Sequence, residues 1–230
     1  MYSLEHAYLL SILGLMPIWA FLFWFSHDSR RKMIRLSILG SFAGPISQYW
    51  YLKDYWEPLY TLGAFGFLED LLFAGLIFGI SGGIISFLLR MKSVPQEGLE
   101  NKIIRYGIAI LVLVGSLFLG ASVLNMNSIY VSSFGFLVLA LIIWRDRPDL
   151  FKYSLMGATF WLLLAFVVYS GILLLWPNFI KEQWFLENIS KITFSGIPLE
   201  EFLWFGSFGL VSVVIYEWKH GWKFVPRNNA

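Results

Sequence analysis

Residues 62–89 read LGAFGFLEDLLFAGLIFGISGGIISFLL, and Glu69 and Asp70 are the only ionisable residues in this stretch. A helix that crosses the hydrocarbon core of a membrane needs ~20 mostly apolar residues, so the stretch is long enough to span a bilayer. The whole chain has the same character, because 58% of its 230 residues are hydrophobic, 14% are charged and the mean hydropathy is +0.67. Soluble domains carry roughly 25% charged residues, so this composition excludes a soluble globular domain and a disordered chain.

The same length criterion predicts about seven transmembrane helices, and the expected fold class is an all-α integral membrane protein. The predicted spans are residues 7–25, 33–49, 62–89, 103–124, 130–144, 153–176 and 192–216. Of the 17 Lys and Arg residues, 14 fall on one side, and only Lys53, Lys181 and Lys191 fall on the other. Basic residues favour the cytoplasmic side. We therefore expect a multi-pass protein of the cell membrane with its N-terminus outside and its C-terminus in the cytoplasm.

The net charge and the residue types also limit which molecules the chain can bind and indicate where it meets the membrane surfaces. The net charge of +2 is too small to attract phosphates, which excludes a nucleic-acid-binding role, and the chain has no Cys to form a disulfide or to bind a metal. Trp residues near the span ends predict an aromatic belt at the membrane surfaces. These residues are Trp24, Trp50, Trp56, Trp144, Trp176 and Trp184.

The third predicted span has a counterpart in the seventh at a constant offset of 131 residues. Residues 68–75 read LEDLLFAG and residues 199–206 read LEEFLWFG, so an acidic pair and a glycine recur at the same spacing. Both segments run in the same predicted direction. We predict two parallel three-helix repeats, residues 1–92 and 128–230, joined by a linker and central helix at residues 93–127. Parallel repeats are related by an axis along the membrane normal.

The carboxylates of these two segments are the candidate catalytic residues Glu69, Asp70, Glu200 and Glu201. No Lys, Arg or His lies within the same spans to neutralise them, and an ionisable residue inside a membrane is by default a candidate functional residue. Within each pair, one acid could stay protonated as a general acid while its neighbour is ionised. Alternatively, acids in the first turn of a helix only stabilise its dipole, by ~0.3–1 kcal/mol, and Pro198 suits such a first turn.

Aromatic and small residues surround the acids in the sequence. Aromatic faces stabilise cations by about 2 kcal/mol or more when water is excluded, so the aromatic residues predict a pocket that shelters a carbocation. They are Phe65, Phe67, Phe73, Phe202, Trp204 and Phe205. Taken singly, each is explained as well by packing against lipid or against another helix. Gly75, Gly79, Gly82 and Gly83 are predicted to let helices approach closely.

The duplicated acidic motif resembles that of the membrane-integral lycopene cyclase domains of the heterodimeric and fused type. The PLEE sequence at residues 198–201 is similar to the motif of that family, whereas the first copy reads FLED and has Phe67 where the family has Pro. The resemblance covers nearly the whole chain, with both three-helix units in one polypeptide. It implies a lycopene cyclase-like isomerase, or intramolecular lyase, of carotenoid biosynthesis that closes rings at the ends of linear carotenoids such as lycopene.

The resemblance also implies roles for the candidate residues. Glu69 or Glu200 would protonate the terminal double bond, the neighbouring double bond would attack the resulting cation, and Asp70 or Glu201 would assist or remove a ring proton. The aromatic residues named above and Pro198 would contact the substrate. On this hypothesis, Glu200→Gln with retained folding abolishes or strongly reduces cyclisation.

A proton- or ion-coupled membrane transporter is the main alternative function. Intramembrane carboxylates and parallel repeats also occur in transporters. The chain carries no dinucleotide-binding fingerprint, so no cofactor is expected, and no metal site is predicted. The expected partners are a linear carotenoid and the lipid bilayer, without nucleic acid, and a homo-oligomer is compatible with the sequence.

Overall fold

The computed structural model describes residues 4–97 and 103–227, and it confirms the predicted all-helical membrane fold. The helices are α1 (Ala7–Phe25), α2 (Arg30–Ser41), α3 (Ala43–Asp54), α4 (Phe67–Leu88), α5 (Ile103–Leu117), α6 (Ser128–Asp146), α7 (Phe151–Leu175), α8 (Phe179–Gln183), α9 (Leu199–Ser212) and α10 (Ile215–His220). The strands are β1 (Met91–Pro95), β2 (Thr193–Phe194), β3 (Ile197–Pro198) and β4 (Trp222–Pro226). Lys102, which contributed to the predicted orientation, and part of the predicted linker lie outside the described residues.

Within the described residues, six helical segments are long and apolar enough to cross a membrane. The second predicted span, residues 33–49, differs from these because it forms α2 and α3, which are 12 residues each and meet at Phe42. Pro45 explains the break: it has no backbone N–H to donate, and its ring clashes with the carbonyl four residues earlier, at Ser41. The count of seven spans therefore stays a prediction.

Corresponding helices of the two halves have corresponding packing partners. Helix α4 packs against α1 and α2, and α9 packs against α6 and α7. The offset of 131 residues also recurs in contacts between the halves, since Ser81 Oγ donates to Ser212 Oγ at 2.9 Å and Ser93 pairs with Phe224 in the antiparallel β1–β4 ladder. A twofold axis brings equivalent residues together in this way. These contacts fit the two-repeat hypothesis, and the division at residues 1–92, 93–127 and 128–230 stays a prediction.

One end of the bundle carries most of the basic residues, and we call it the basic end. Lys32 Nζ lies 2.6 Å from Glu217 Oε1, both side chains are buried, and Ser93 Oγ donates to the same carboxylate oxygen at 2.6 Å. Arg227 pairs with Asp28 at 2.9 Å. These contacts and the β1–β4 ladder tie the ends of both halves together, so the acidic motifs, at the opposite ends of α4 and α9, lie at the other end.

The aromatic belt is only partly present. Trp24 is 69% exposed, as a residue facing a membrane surface would be, but the prediction is wrong for Trp50, Trp176 and Trp184, which are buried. Their rings pack inside the protein at the end of the bundle that carries the acidic motifs. Trp50 Nε1, for example, donates to Ser122 Oγ at 2.8 Å. Trp56 and Trp144 are half-buried.

Small residues allow the close helix contacts that the sequence predicts. A Cβ atom added at Gly79 would lie 2.2 Å from Ser37 Oγ, and one added at Gly83 would lie 2.8 Å from Met33 Sδ. Helices α7 and α9 are in contact through their backbones. A Cβ atom added at Gly209 would lie 2.6 Å from the backbone oxygen of Gly157.

Gly209→Ala is therefore expected to destabilise the protein. The added methyl group meets backbone atoms of α7, which cannot rotate away, and overpacking of this kind costs about 1–3 kcal/mol. We expect a lower midpoint of thermal unfolding in detergent. Gly171→Ala is the matched control, because a Cβ atom added at Gly171 meets nothing within 4 Å and alanine favours a helix. An unchanged midpoint for Gly209→Ala would contradict the close packing of α7 on α9.

Candidate active site

A cavity of about 530 Å³ lies between the two halves of the chain. Helices α1 to α9 all contribute lining residues, and most of these side chains are apolar or aromatic. Asp70 from the first acidic motif and Glu201 from the second are the two carboxylates in the lining. Ligand-binding cavities are typically ~300–1,000 Å³ and combine an apolar lining with a few well-placed polar groups. This cavity therefore has the volume and composition of a site for an apolar ligand.

Asp70 lies in the first turn of α4 and is held by three side chains. Tyr8 Oη and Gln48 Nε2 each donate to Asp70 Oδ1 at 2.9 Å, and Tyr60 Oη donates to Oδ2 at 2.7 Å. The donors come from α1, α3 and the loop before α4. The carboxylate is 2% exposed in this structure, so its hydrogen bonds fix its orientation at the cavity wall.

Glu201 lies in the first turn of α9 and also has three side-chain donors. Tyr55 Oη and Trp184 Nε1 donate to Glu201 Oε1, the latter at 2.9 Å, and Tyr169 Oη donates to Oε2 at 2.5 Å. Tyr55 follows α3 and therefore belongs to the first half of the chain. Both halves thus contribute to the environment of this carboxylate.

The two carboxylates are connected across one end of the cavity. Gln48, which donates to Asp70, accepts from Trp56 Nε1 at 3.2 Å. The ring of Trp56 lies 5.3 Å from that of Trp184, and Trp184 donates to Glu201. This connected set of side chains places Asp70 and Glu201 in one site rather than in two separate ones.

The first acid of each pair has a different environment. Glu69 Oε1 accepts from the backbone N–H of Leu62 at 2.7 Å. Glu200 Oε1 accepts from the backbone N–H of Ser190 at 2.9 Å and from Tyr130 Oη at 2.5 Å. Neither acid lines the cavity. Both bind the loop that precedes their own helix. This role is close to the alternative given above, in which an acid in the first turn only stabilises the start of its helix.

Aromatic rings form another part of the cavity wall. Trp204 stacks on Phe208 with ring centroids 5.2 Å apart, and Trp161 lies 5.3 Å from Phe208. Trp161 Nε1 donates to Ser81 Oγ at 3.0 Å, which satisfies the indole and fixes the ring. We call Trp161, Trp204 and Phe208 the aromatic wall. Their faces can stabilise a positive charge inside the cavity.

The predicted substrate residues divide into two groups. Phe73, Trp204 and Phe205 line the cavity with the acids, whereas Phe65, Phe67, Phe202 and Pro198 do not. Phe65 and Phe67 are exposed, at 64% and 49%. Phe202 packs against Phe194, and Pro198 is buried at the start of α9.

Sequence reasoning did not identify the residues that hold the two cavity carboxylates. These residues are Tyr8, Gln48, Tyr55, Tyr60, Tyr169 and Trp184. They come from distant parts of the chain, and nothing in their local sequence links them to an acid. One signal was available for Trp184, which is among the Trp residues near the span ends, but that pattern predicts an aromatic belt rather than a donor to an acid.

A comparison with protein families supports the resemblance for the second half of the chain. Residues 127–219 match the family model described as lycopene cyclase. The matched segment contains Glu200 and Glu201, and the first half, with Asp70, lies outside it. No curated protein and no solved structure matches the chain. The resemblance predicted from the duplicated motif is thus confirmed for residues 127–219.

Proposed function

We propose that this protein is a membrane-embedded carotenoid cyclase that closes rings at the ends of a linear carotenoid such as lycopene. The observation that carries the proposal is the apolar cavity that is lined by a carboxylate from each half of the chain together with the aromatic wall. The lycopene cyclase match at residues 127–219 supports the same activity. An acid, a base and a dry aromatic pocket are what ring closure through a carbocation requires.

The proposed reaction adds one proton to the substrate and removes another from it. A carboxylic acid donates its proton to the terminal double bond of the substrate, which leaves a tertiary carbocation. The next double bond attacks this cation and closes a six-membered ring, and the positive charge passes to a ring carbon. A carboxylate then removes a proton beside that carbon, and a double bond forms. The product is an isomer of the substrate, so no oxidant or reductant is consumed.

We assign the two proton transfers to Asp70 and Glu201, one acting as the acid and the other as the base. This assignment differs from the sequence-based hypothesis, in which the acid was Glu69 or Glu200 and its neighbour was the base. It rests on position, because a general acid or base must reach the reacting atom within hydrogen-bonding distance. Asp70 and Glu201 line the cavity, whereas Glu69 and Glu200 bind the preceding loops and act as positioning residues.

The cavity lining would protect the cation between the two proton transfers. Aromatic faces attract a cation by about 2 kcal/mol or more when water is absent, and Trp161, Trp204 and Phe208 supply such faces. Exclusion of water also prevents the cation from being captured as an alcohol. The wall is therefore part of the proposed chemistry and not only packing.

A transporter would need polar groups that continue from the carboxylates through the bundle. Here the aromatic wall lies between the cavity and the hydrogen bond that joins Ser81 to Ser212. This placement favours a reaction chamber that ends at the aromatic wall over a conduction path through the bundle. With the N-terminus outside, as the basic residues predict, the two acids would lie near the outer face of the membrane.

Expression in a lycopene-accumulating bacterial host tests the proposal. We expect cyclic carotenoids with the same mass as lycopene but different chromatographic retention. The control is the same chain with Asp70→Asn and Glu201→Gln together, which should leave lycopene unchanged. Unchanged lycopene in the presence of the parent chain, with the protein recovered from the membrane fraction, would contradict the proposal. Proton flux into vesicles that contain the purified protein would instead support the transporter.

A further inference from the structure

The exposed part of the cavity lining is confined to two places in the fold. Around the α2–α3 break, Leu39, Phe42 and Ile46 line the cavity and are more than half exposed. On α5, Ile110 lines the cavity and is 61% exposed, and Val114 is 41% exposed. We call the gap between these two sets the lateral window. Four of the five residues lie within α2, α3 and α5, and Phe42 joins α2 to α3. Because all five are apolar and none belongs to a long loop, we infer that the window faces the membrane interior.

The lateral window is bounded by polar contacts at both ends. Toward the acidic motifs, Trp50 Nε1 of α3 donates to Ser122 Oγ, just beyond the end of α5, at 2.8 Å. At the basic end, α2 and α5 both bind α10: Arg35 Nη1 donates to Tyr216 Oη at 3.0 Å, and Arg105 Nη1 donates to the backbone oxygen of Trp218 at 2.5 Å. The opening is therefore a bounded gap in an otherwise connected bundle.

The window lies beside one of the two cavity carboxylates. A Cβ atom added at Gly44, between Phe42 and Ile46, would lie 2.3 Å from the backbone oxygen of Asp70. The first turn of α3 thus packs directly on the first turn of α4. A molecule that passes through the window reaches the level of Asp70 without crossing the bundle.

We propose that the lateral window admits the substrate from the bilayer and that the unreacted part of the carotenoid stays in it during ring closure. This inference rests on the proposed function and concerns the same cavity. A compact space of about 530 Å³ is roughly as wide as one helix, ~10 Å. An extended linear carotenoid is about as long as the hydrocarbon core is thick, ~30 Å. One end group fits inside, and the rest of the chain lies in the apolar window and the lipid.

This arrangement has a consequence for substrates with two reactive ends. Only one end group occupies the cavity at a time, so the second ring can close only after the product leaves and turns around. The protein would then accept linear carotenoids of different length, provided that the end group is the same. Any monocyclic product should appear before a bicyclic one.

The first test narrows the window. Ile110→Trp places a bulky ring in the opening and is expected to lose most of the cyclisation of lycopene supplied in vesicles. Leu111→Trp is the matched control, because Leu111 is the next residue on α5, is 73% exposed and does not line the cavity. It should retain the parental rate. Parental cyclisation by Ile110→Trp, with equal amounts of protein in the membrane, would overturn the window.

A second test measures occupancy without catalysis. The chain has no Cys, so Ile110→Cys and Leu111→Cys each provide one thiol for a membrane-soluble maleimide. Lycopene in the vesicles should slow labelling at residue 110 and leave labelling at residue 111 unchanged. Protection at residue 110 without any cyclisation by the parent chain would refute the proposed function but retain the window. Cyclisation without protection would refute the window alone.

Discussion

Glu201→Gln is expected to lower the rate of ring closure by ~10²–10⁴-fold, the usual contribution of a general acid or base. The amide is isosteric with the carboxyl group but can neither donate the reacting proton nor remove one. The hydrogen bonds with Tyr55, Tyr169 and Trp184 can be retained in part. A tyrosine hydroxyl group can rotate to accept from the amide NH2 of the new Gln side chain. We therefore expect a folded but inactive protein. Pigment analysis in the lycopene host and initial rates in vesicles both measure the loss.

Glu187→Gln is the control for this substitution. Glu187 is exposed in the short helical turn Leu186–Asn188, at the same end of the bundle. It does not line the cavity, so its substitution should leave the rate unchanged. If Glu201→Gln folds, reaches the membrane and cyclises lycopene at the parental rate, the assigned role of Glu201 is wrong.

Asp70→Asn should cause a loss of the same order, ~10²–10⁴-fold, because ring closure needs both an acid and a base. The expected loss for Asp70→Asn depends more on the structure than the expected loss for Glu201→Gln does. Asp70 lies outside the segment that matches the lycopene cyclase family model, and it joins the site only because α4 and α9 present their first turns to one cavity. The measurement is again the initial rate in vesicles at equal amounts of protein.

Glu57→Gln is the matched control in the first half of the chain, because Glu57 is exposed in the loop after α3 and does not line the cavity. Glu69→Gln is a further comparison. It changes a loop-binding group rather than a cavity group, and the amide oxygen of Gln can still accept from the backbone N–H of Leu62, so we expect a smaller loss of rate than for Asp70→Asn. A larger loss for Glu69→Gln would return the acid role to the first member of the pair.

The length of the apolar stretches and the duplicated acidic motif made much of the fold predictable from the sequence. Continuous apolar stretches identified α1 and α4 to within a few residues, because a membrane span leaves little choice of residue type. The recurrence of residues 68–75 at 199–206 predicted that two helices would have equivalent environments. It also singled out the four acids that deserved comparison.

Contacts between distant parts of the chain could not be predicted in the same way. Pro45 lies in the second predicted span, but a proline either kinks or breaks a helix depending on the packing around it. The division of roles within each acid pair depends on which side chain faces the cavity. Neighbouring residues on a helix point about 100° apart, and only the packed structure determines that Asp70 and Glu201 face inward. The donors to these acids belong to other helices and loops, so local patterns could not identify them.

The most direct test of the account compares the initial rates of ring closure for the parent chain, Asp70→Asn, Glu201→Gln and the double variant. Measurements use the same vesicles, with lycopene and equal amounts of folded protein. A single site that needs both carboxylates predicts that each single variant loses ~10²–10⁴-fold and that the double variant is little worse. Two independent sites, one in each half, would leave roughly half of the parental rate in each single variant and none in the double variant. That second result would contradict the central claim that Asp70 and Glu201 serve one reaction in one cavity.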